Sequence, residues 1–218
     1  FYSQGAGNKN VRDSINFYDI YFSYSTAICK QLIQKFKVNS YCIPFGYDET
    51  IKPIKTLTNN ISNQFLFIGA WDKEREHKLK KISTTDLQIF GPTKWMSKIK
   101  KFEKLKYNLQ PLYEQQYADA CLNAAGILNF LRPQNIIEKS HNMRTFEVPG
   151  YGGLLIAERT TEQLGFFEED KEAIYFDDII ELDDKLKHLN NNSKTILRLK
   201  KNAFLRSSTS GYDYNSRT

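Results

Sequence analysis

The chain has 218 residues, of which 40% are hydrophobic and 14% aromatic, and its formal net charge at pH 7 is +6. This length allows one large core or two unequal lobes, and the composition is that of a folded globular protein. The sequence contains neither an apolar run of the ~18 residues that a membrane-spanning helix needs nor a signal-peptide pattern. We therefore expect a cytoplasmic protein, which could still lie against a membrane surface.

The cysteines and histidines give no support for a metal site. Cys29, Cys42 and Cys121 are widely spaced in apolar contexts, and the three histidines are isolated from one another in the sequence. No CxxC or Cys/His cluster with zinc-ligand spacing is present. We expect reduced core thiols, no bound metal and no other cofactor.

The first part of the chain has the pattern of one βαβ unit. Tyr18–Phe22 alternates and is β-prone, a helix can begin at Ser25 or Thr26, and Ser40–Ile43 reads as a second strand. Residues 45–63 hold Gly46, Pro53, three Thr and three Asn and show little periodicity, so a linker and a domain boundary are predicted there.

From residue 64 onward, predicted strands and helices alternate, as they do in a doubly wound α/β sheet. The predicted strands are Phe65–Ile68, Leu87–Phe90, Ile127–Leu131, Leu154–Ala157 and Ala173–Phe176. The predicted helices start at or near Asp72, Thr93, Tyr113, Asn142 or Thr145, Ile179 and Ser193. Gly126 is expected to end the third of these helices, and the last residues, SSTSGYDYNSRT, are expected to fray or to depend on a neighbour.

Ligands of such sheets bind just beyond the carboxyl ends of the strands. The residues at those positions are Gly69–Asp72, Gly91–Lys94, Leu131–Pro133 and the helix that starts near Arg144. Glycines after two strands would let backbone N–H groups come close to a phosphate. Neither GxGxxG nor GxxxxGK[ST] is present, so the sequence predicts no dinucleotide fingerprint and no P-loop.

The stretch NMRTFEVPGYGGLLIAER, residues 142–159, holds the strongest candidate site. A helix N-terminus favours an anion, and Arg144 would strengthen that preference. Glu147, one turn further on, could bind a sugar diol, so the two residues together suit a nucleotide-sugar. The alternative is that Arg144 and Glu147 pair with each other at i, i+3 on a helix face.

Positive charge is concentrated in two segments, Lys73–Lys81 and Lys94–Lys106. Such a field favours a polyanion, an anionic membrane surface or a phosphorylated ligand. The alternative is that the lysines cover two solvated helix faces, since apolar residues lie between them at helical spacing. No nucleic-acid-binding signature accompanies the charge, so we do not expect a nucleic acid partner.

Two runs, LYEQQYADACLNAAGILNFLR and NMRTFEVPGYGGLLIAERTTEQLGFFEEDKEAIYFDDIIELDDKLKHL, resemble the C-terminal domain of CgeB-like glycosyltransferases. These are relatives of the GT-B-fold enzymes that include sucrose and glycogen synthases. The resemblance covers residues 65–218 and, more faintly, Tyr18–Asp48. It implies an α/β fold with a doubly wound, parallel, Rossmann-like sheet, the C-terminal half of a GT-B fold with a remnant of the N-terminal domain. The implied division is 1–55 for the remnant and linker, 56–205 for the nucleotide-sugar-binding domain and 206–218 for a tail.

The resemblance also implies a set of donor-binding residues, but no catalytic residue. In that family the carboxylate aligned with Glu147 holds the ribose hydroxyls, and Arg144 would lie beside the diphosphate. The remaining implied donor-site residues are Thr145, Gly69, Gly91, Thr93, Arg132, Gly152 and Gly153. Many GT-B enzymes carry a second glutamate eight positions before the ribose carboxylate. Here that residue is Lys139, which leaves the sugar contact and the stereochemical course open.

The resemblance therefore implies a metal-independent transfer of sugar from a nucleotide-diphosphate-sugar to an acceptor hydroxyl. The alternatives are a non-catalytic sugar-nucleotide-binding or scaffold module, a GT-B-like epimerase or phosphorylase, and a basic domain for nucleic acid or a membrane surface. The chain begins at Phe1 and holds little of an acceptor lobe, so we expect a fragment that needs a missing N-terminal domain or a partner chain. Alone, it should bind donor without turnover and should expose Phe17, Tyr21 and Phe22.

Overall fold

The computed structural model describes residues 9–54, 62–83, 87–99, 106–108 and 110–217. The strands in these ranges are β1 Ile20–Ser23, β2 Asn39–Cys42, β3 Phe65–Ile68, β4 Leu87–Phe90, β5 Lys106–Asn108, β6 Gly126–Asn129, β7 Leu155–Glu158 and β8 Ile174–Phe176. The α-helices are α1 Lys9–Ser14, α2 Thr26–Phe36, α3 Lys73–Lys81, α4 Met96–Ile99, α5 Glu114–Asn123, α6 Pro133–Glu138, α7 Arg144–Gly150, α8 Thr161–Phe166, α9 Ile179–Asn190 and α10 Ser193–Thr209.

The larger sheet has the strand order β5-β4-β3-β6-β7-β8, and every neighbouring pair in it is parallel. Counted from β3, this is the 3-2-1-4-5-6 order of the doubly wound Rossmann fold. The predicted fold class is confirmed. The order reverses between β3 and β6, so a crevice is expected beyond the carboxyl ends of these two strands.

Apolar residues on both faces of this sheet form its core. All four residues of β3 are buried; Phe65 and Phe67 pack into one cluster, and Leu66 and Ile68 pack into another on the opposite face. Successive side chains of a strand point to opposite faces, and a strand covered on both sides therefore reads as a continuous apolar run. This explains why β3 could be recognised in the sequence.

Before the larger sheet, β1 and β2 form a parallel pair with α2 as the crossover, which confirms the predicted βαβ unit. Its small core is built from Ile15, Ile28 and Leu32. Phe17 is 84% exposed and Phe22 58% exposed, as expected. The prediction for Tyr21 was wrong, because Tyr21 is partly buried against this small core. The proposed domain boundaries stay a prediction.

Three details of the sequence interpretation were wrong in the region of the larger sheet. Lys106 lies in the edge strand β5, not in a helix; β5 is a short polar strand that pairs with β4 through its backbone, so it carries no apolar signal. Gly126 does not end α5 but begins β6, where a Cβ would lie 2.6 Å from Cδ1 of Ile156. Thr93 begins a 3-10 turn and does not cap an α-helix. The predictions for Lys100, Lys101 and Lys104 concern residues outside the described ranges.

The C-terminal tail packs against the linker that follows β2, so the prediction that it frays was wrong. Tyr47 N–H donates to the Tyr212 carbonyl at 3.1 Å, and Tyr214 N–H donates to the Tyr47 carbonyl at 3.0 Å. Tyr212 and Asp213 are buried. The tail is held by backbone pairing between two segments that are far apart in sequence. Such pairing leaves no local sequence pattern from which it could be predicted.

Two of the three cysteines, Cys29 and Cys121, are buried as expected, whereas Cys42 is exposed. The expectation of a core thiol at Cys42 was wrong because only one face of the β1–β2 pair is covered by α2, and Cys42 lies at the end of β2.

Lys200 on α10 is a fully buried cation at the C-terminal end of α5. Its Nζ donates to the carbonyls of Leu122 and Ala124 at 2.7 and 2.6 Å. These carbonyls end α5 and have no partner inside their own helix, and the helix dipole also favours a cation there. Burial nevertheless lowers the pKa of Lys200 to about 8.

This environment predicts a pH-dependent stability. From pH 8 up to the ordinary lysine pKa, the unfolded chain binds a proton at Lys200 that the folded chain has released, so the unfolding free energy rises with pH. We expect the wild type to gain about 1 kcal/mol relative to Lys200→Met between pH 7 and pH 9. Urea denaturation of both proteins at the two pH values measures this difference. A difference that does not change with pH would contradict the assignment.

Candidate functional site

A cleft of about 600 Å³ opens at the point where the strand order reverses. Ala70 follows β3, Arg132 follows β6 and Arg144 begins α7, and all three line one wall. Tyr24 and Phe45, from the βαβ unit and the linker after it, line the other. The cleft therefore lies between the larger sheet and the N-terminal part of the chain.

Three arginines, Arg75, Arg132 and Arg144, line this cleft, and its described lining contains no carboxylate. Arg75 pairs with Asp72, since its Nε lies 3.2 Å from a carboxylate oxygen. Neither Arg132 nor Arg144 forms an ion pair with any residue that the structure describes. The Nε atom of Arg144 is buried and has no hydrogen-bond partner in the same part of the chain. Two positive charges are thus left without a neutralising partner at the crevice.

Arg75 is a site residue that the sequence interpretation assigned only to a basic segment. Its Nη1 donates to the Ala70 carbonyl and its Nη2 to the Phe130 carbonyl, each at 3.2 Å. It therefore ties together the backbone that follows β3 and the backbone that follows β6. Burial lowers the pKa of Arg75, and the charges of Arg144 and Arg132 lower it further, against the effect of Asp72. Arg75 could have been identified from its position in the sequence, because it lies three residues after the N-cap Asp72, on the helix that follows β3.

Glu158, at the end of β7, fixes the loop that carries Arg132. Its carboxylate accepts the Leu131 N–H at 2.7 Å and binds Nζ of Lys78 at 2.5 Å. Glu158 is buried and Lys78 largely so. This pair holds α3 against the carboxyl ends of β6 and β7, and so keeps Arg75 and Arg132 at the same mouth of the sheet.

The two glycine turns have a different role from the one predicted. Gly69 N–H donates to the Phe90 carbonyl at 2.9 Å, and Gly91 N–H donates to the Asn108 carbonyl at 3.2 Å. Both N–H groups therefore extend the sheet ladder and are not available to a phosphate. Gly91 is required by close packing, since a Cβ there would lie 2.4 Å from the Gly69 carbonyl oxygen. The guanidinium of Arg144 lies close to Gly69, since a Cβ built on Gly69 would be 3.8 Å from Nη2 of Arg144. This guanidinium therefore lies over the carboxyl end of β3.

Glu147 lies one turn into α7 and is mostly buried beside Tyr117 and Cys121. Burial raises the pKa of Glu147, and the charge of Arg144 acts in the opposite direction. No ion pair joins Arg144 to Glu147, although both lie in the described part of the chain. The alternative of a simple i, i+3 pair on a helix face is therefore not what the structure contains.

The remaining predicted site residues do not line the cleft. Thr145 is fully buried, and its hydroxyl donates to the Gln163 side-chain oxygen at 2.9 Å. Gly152, with φ of +76°, makes the turn between α7 and β7, and a Cβ on Gly153 would lie 2.9 Å from the Cys121 carbonyl. Thr93 is exposed after β4 and does not line the cleft. Thr145 supports α7, and Gly152 and Gly153 lie before the amino end of β7, at the end of the sheet opposite the cleft, whereas Arg132 and Arg144 line the opening.

Lys139, which stands where many GT-B enzymes have a second glutamate, is exposed in a left-handed conformation with φ of 53°. The neighbouring Glu138 is partly buried, and its carboxylate accepts a long hydrogen bond of 3.4 Å from the Tyr24 hydroxyl. No carboxylate therefore lines the cleft from this loop within the described chain.

Across the ranges that the structure describes, no group of three or more His, Cys, Asp or Glu side chains is arranged to hold a metal ion. None of the helices in those ranges has both the length and the apolar character that crossing a membrane would require.

Comparisons with known proteins give a family and a fold. A family model described as glycosyl transferase-like matches residues 56–218. No curated protein gives a significant match. A sucrose-phosphate synthase from Thermosynechococcus elongatus is similar in structure, with a TM-score of 0.69 at 13% identity over 100% of this chain and 61% of that chain.

Two further solved structures show the same likeness. HepE from Anabaena, in complex with UDP-glucose, gives a TM-score of 0.71 at 12% identity over 99% of this chain and 66% of that chain. A glycosyltransferase from Rickettsia africae gives 0.64 at 11% identity over 96% of this chain and 64% of that chain. This chain thus spans less than two thirds of the length of these structures, and at such identities the likeness establishes the fold alone.

The contacts of Glu158 predict a large stability effect. Glu158→Ala leaves the Leu131 N–H and the largely buried Lys78 without this partner, so we expect a loss of about 2–4 kcal/mol in unfolding free energy. Glu168→Ala removes only an exposed ion pair with Lys171, so it should cost much less. Urea denaturation measures both. Equal losses would show that Glu158 does not fix the crevice.

Proposed function

The chain belongs to the glycosyl transferase-like family, and on this basis we propose that it is the donor-binding half of a glycosyltransferase. The proposed reaction moves a sugar from a nucleotide-diphosphate-sugar to an acceptor hydroxyl. The observation that carries the proposal is the pair of unneutralised arginines at the crevice where the strand order reverses. Doubly wound sheets bind their ligands at this point.

The charge of the cleft fits a nucleotide-sugar. Of the three arginines, Arg75 is paired with Asp72, so the positive charges of Arg132 and Arg144 are available to an anionic ligand. The diphosphate of a nucleotide-sugar carries two negative charges, one on each phosphate. Guanidinium groups bind phosphate oxygens through two parallel hydrogen bonds, and such charge-assisted bonds are stronger than neutral ones. The unpartnered Nε of Arg144 is a donor of this kind.

The same arginines would assist the chemical step. When the glycosidic bond to the diphosphate breaks, negative charge develops on the leaving phosphate oxygen. Fixed positive groups at that position stabilise the transition state more than the ground state. Since Arg132 and Arg144 supply two positive charges at the cleft, we propose a metal-independent reaction.

Glu147 is proposed to bind the ribose hydroxyls of the donor. It lies one turn beyond Arg144 on α7, so a ligand with its diphosphate on Arg144 can direct its ribose towards Glu147. An ionised carboxylate accepts two hydroxyl hydrogen bonds. Burial raises the pKa of Glu147, and the nearby positive charge of Arg144 opposes that rise.

A UDP-sugar is the donor class that we propose first. The likeness in fold to HepE, whose structure was solved with UDP-glucose, supports this choice. The run MRTFE-P-GG-L-ER further supports the finer proposal that the chain is CgeB-like. The acceptor wall is proposed to come from a further domain or a partner chain, so this chain by itself should bind donor without turnover. We also propose a cytoplasmic location, with peripheral contact to a membrane surface as the alternative.

A second candidate is a sugar-nucleotide-binding module without catalysis. This second candidate is favoured by Lys139, which is exposed and stands where many GT-B enzymes have a carboxylate that contacts the donor sugar. Both candidates predict nucleotide binding. Sugar transfer, or hydrolysis of the donor, by a longer form of the protein would exclude this second candidate.

Variants of Arg144 test the diphosphate contact. Because a charged hydrogen bond contributes about 1.5–3 kcal/mol, Arg144→Ala should weaken UDP binding by roughly ten- to a hundredfold. Arg144→Lys keeps the charge but loses the planar fork, so it should weaken UDP binding less. Uridine binding should hardly change in either variant. Calorimetric titration with UDP and with uridine measures these affinities.

Arg198→Ala is the matched control, because Arg198 is an exposed arginine on α10, outside the cleft. It should leave UDP affinity unchanged. If Arg144→Ala reduced uridine and UDP affinity by the same factor, Arg144 would have a structural role rather than a role in binding the diphosphate.

A pair of ligands tests Glu147. Glu147→Ala should weaken UDP binding by roughly ten- to a hundredfold. The wild type should lose a similar amount when UDP is replaced by its 2′,3′-dideoxy analogue, whereas Glu147→Ala should bind the two ligands equally. This cycle isolates the contact between carboxylate and ribose hydroxyls. If Glu147→Ala still preferred UDP over the dideoxy ligand by the wild-type factor, Glu147 would not be the ribose anchor.

A further inference from the structure

The wall of the cleft that faces the arginines is built from the N-terminal part of the chain. The rings of Tyr24 and Phe45 are stacked, with 4.8 Å between their centroids. Both rings meet the imidazole of His141 edge-on, each at 5.8 Å. His141 therefore lies where the two walls of the cleft meet.

His141 is fully buried, and both of its ring nitrogens have partners. Nδ1 lies 2.8 Å from a carboxylate oxygen of Glu162, and Nε2 accepts the Phe45 N–H at 3.3 Å. Because Nε2 accepts a hydrogen bond, the neutral imidazole must carry its proton on Nδ1 and donate it to Glu162. In sequence, His141 directly precedes Asn142–Arg144, which line the opposite wall.

Glu162, on α8, extends this connection to the start of α2. Its second carboxylate oxygen accepts the Thr26 N–H at 2.8 Å and the Ser25 hydroxyl at 3.4 Å. Ser25 is the N-cap of α2 but makes no side-chain capping bond of its own. Glu162, which lies on a helix of the larger sheet, therefore caps the N-terminus of α2 in the βαβ unit. The dipole of α2 favours the negative charge of Glu162 at that position.

We propose that His141, acting through Glu162 and Phe45, is a positioning residue for the nucleotide: it holds the Tyr24–Phe45 wall at a fixed distance from the Arg132 and Arg144 guanidinium groups. The inference rests on the proposed function, because it assigns His141 a role in how the same cleft holds its ligand. A buried network in which every polar atom has a partner fixes one geometry, whereas its loss leaves buried groups unpaired.

The network also predicts a pH dependence. A protonated imidazole cannot accept the Phe45 N–H, so the contact to the linker is lost on protonation. Burial lowers the pKa of His141, Glu162 opposes this effect, and Arg217 in the tail adds to it. Two other polar or titratable groups lie near the imidazole ring, the Tyr24 hydroxyl and, beside it, Glu138 on α6. Cys42 lies near Glu162 and Arg217. UDP affinity should therefore be constant near neutral pH and fall below the ordinary histidine range.

The test compares UDP affinity in His141→Phe, His141→Gln and Lys200→Met. Phenylalanine keeps the ring packing but removes both hydrogen bonds, so UDP affinity should fall by about tenfold or more. Glutamine can restore one acceptor and one donor and should recover part of the affinity. Lys200→Met removes an equally buried polar group that lies outside the cleft, and it should bind UDP as the wild type does.

Amide hydrogen exchange at Thr26 and Phe45 reports the connection without any nucleotide. His141→Phe should speed exchange at both amides. The fall in UDP affinity at low pH should be steeper in the wild type than in His141→Phe, in which only protonation of the ligand phosphate and of Glu147 remains. A merely structural role of His141 would not produce this difference.

The outcomes separate the two proposals. If the wild type binds UDP and His141→Phe binds it equally well, the positioning role is wrong while the proposed function stands. An equal loss of affinity in Lys200→Met would likewise overturn it, because general destabilisation would then explain the effect. If the wild type bound no nucleoside diphosphate, the proposed function would fail, and the role of His141 would fail with it.

Discussion

The crevice between β3 and β6 is defined by two positive charges, on Arg132 and Arg144, that no ion pair among the described residues neutralises. Like charges at one mouth of a sheet repel each other, so the fold must hold them there by other contacts. Arg75 supplies one such contact by bridging the carbonyls of Ala70 and Phe130, and Glu158 supplies another by fixing the Leu131 backbone. A dianionic ligand would remove the repulsion and thereby stabilise the folded chain by mass action.

The cleft has two walls of different chemistry, and a polar network joins them. The arginine wall belongs to the larger sheet, whereas the Tyr24–Phe45 wall belongs to the βαβ unit and its linker. His141 and Glu162 connect the two walls through buried hydrogen bonds, and Tyr47 pairs with the C-terminal tail behind them. The N-terminal part of the chain is therefore a component of the site and not an appendage to it.

Much of the fold could be predicted because the central strands are apolar on both faces. The run Phe65–Ile68 signals a buried parallel strand by composition alone. The edge strand β5 could not be predicted, because its backbone pairing carries no apolar pattern. The path of the tail was missed for the same kind of reason, since its pairing with Tyr47 is non-local.

For the site, sequence reasoning found the residues that line the opening but misjudged how others act. Arg132 and Arg144 were predicted from their places after a strand and at a helix start, and both line the cleft. Arg75 was not predicted as a site residue, because it lies in a basic segment whose sequence pattern is that of a solvent-exposed helix. The N–H groups of Gly69 and Gly91 were expected to face a phosphate, but they continue the sheet ladder, and only coordinates reveal which donors are already used.

The most direct measurement is a crystal structure of this chain with UDP bound. We expect the diphosphate oxygens to contact the guanidinium groups of Arg132 and Arg144, with the ribose directed towards Glu147 on α7. A diphosphate bound elsewhere, for example in the basic recess beside Trp71 and Lys98, with both arginines of the cleft left in solvent, would contradict it.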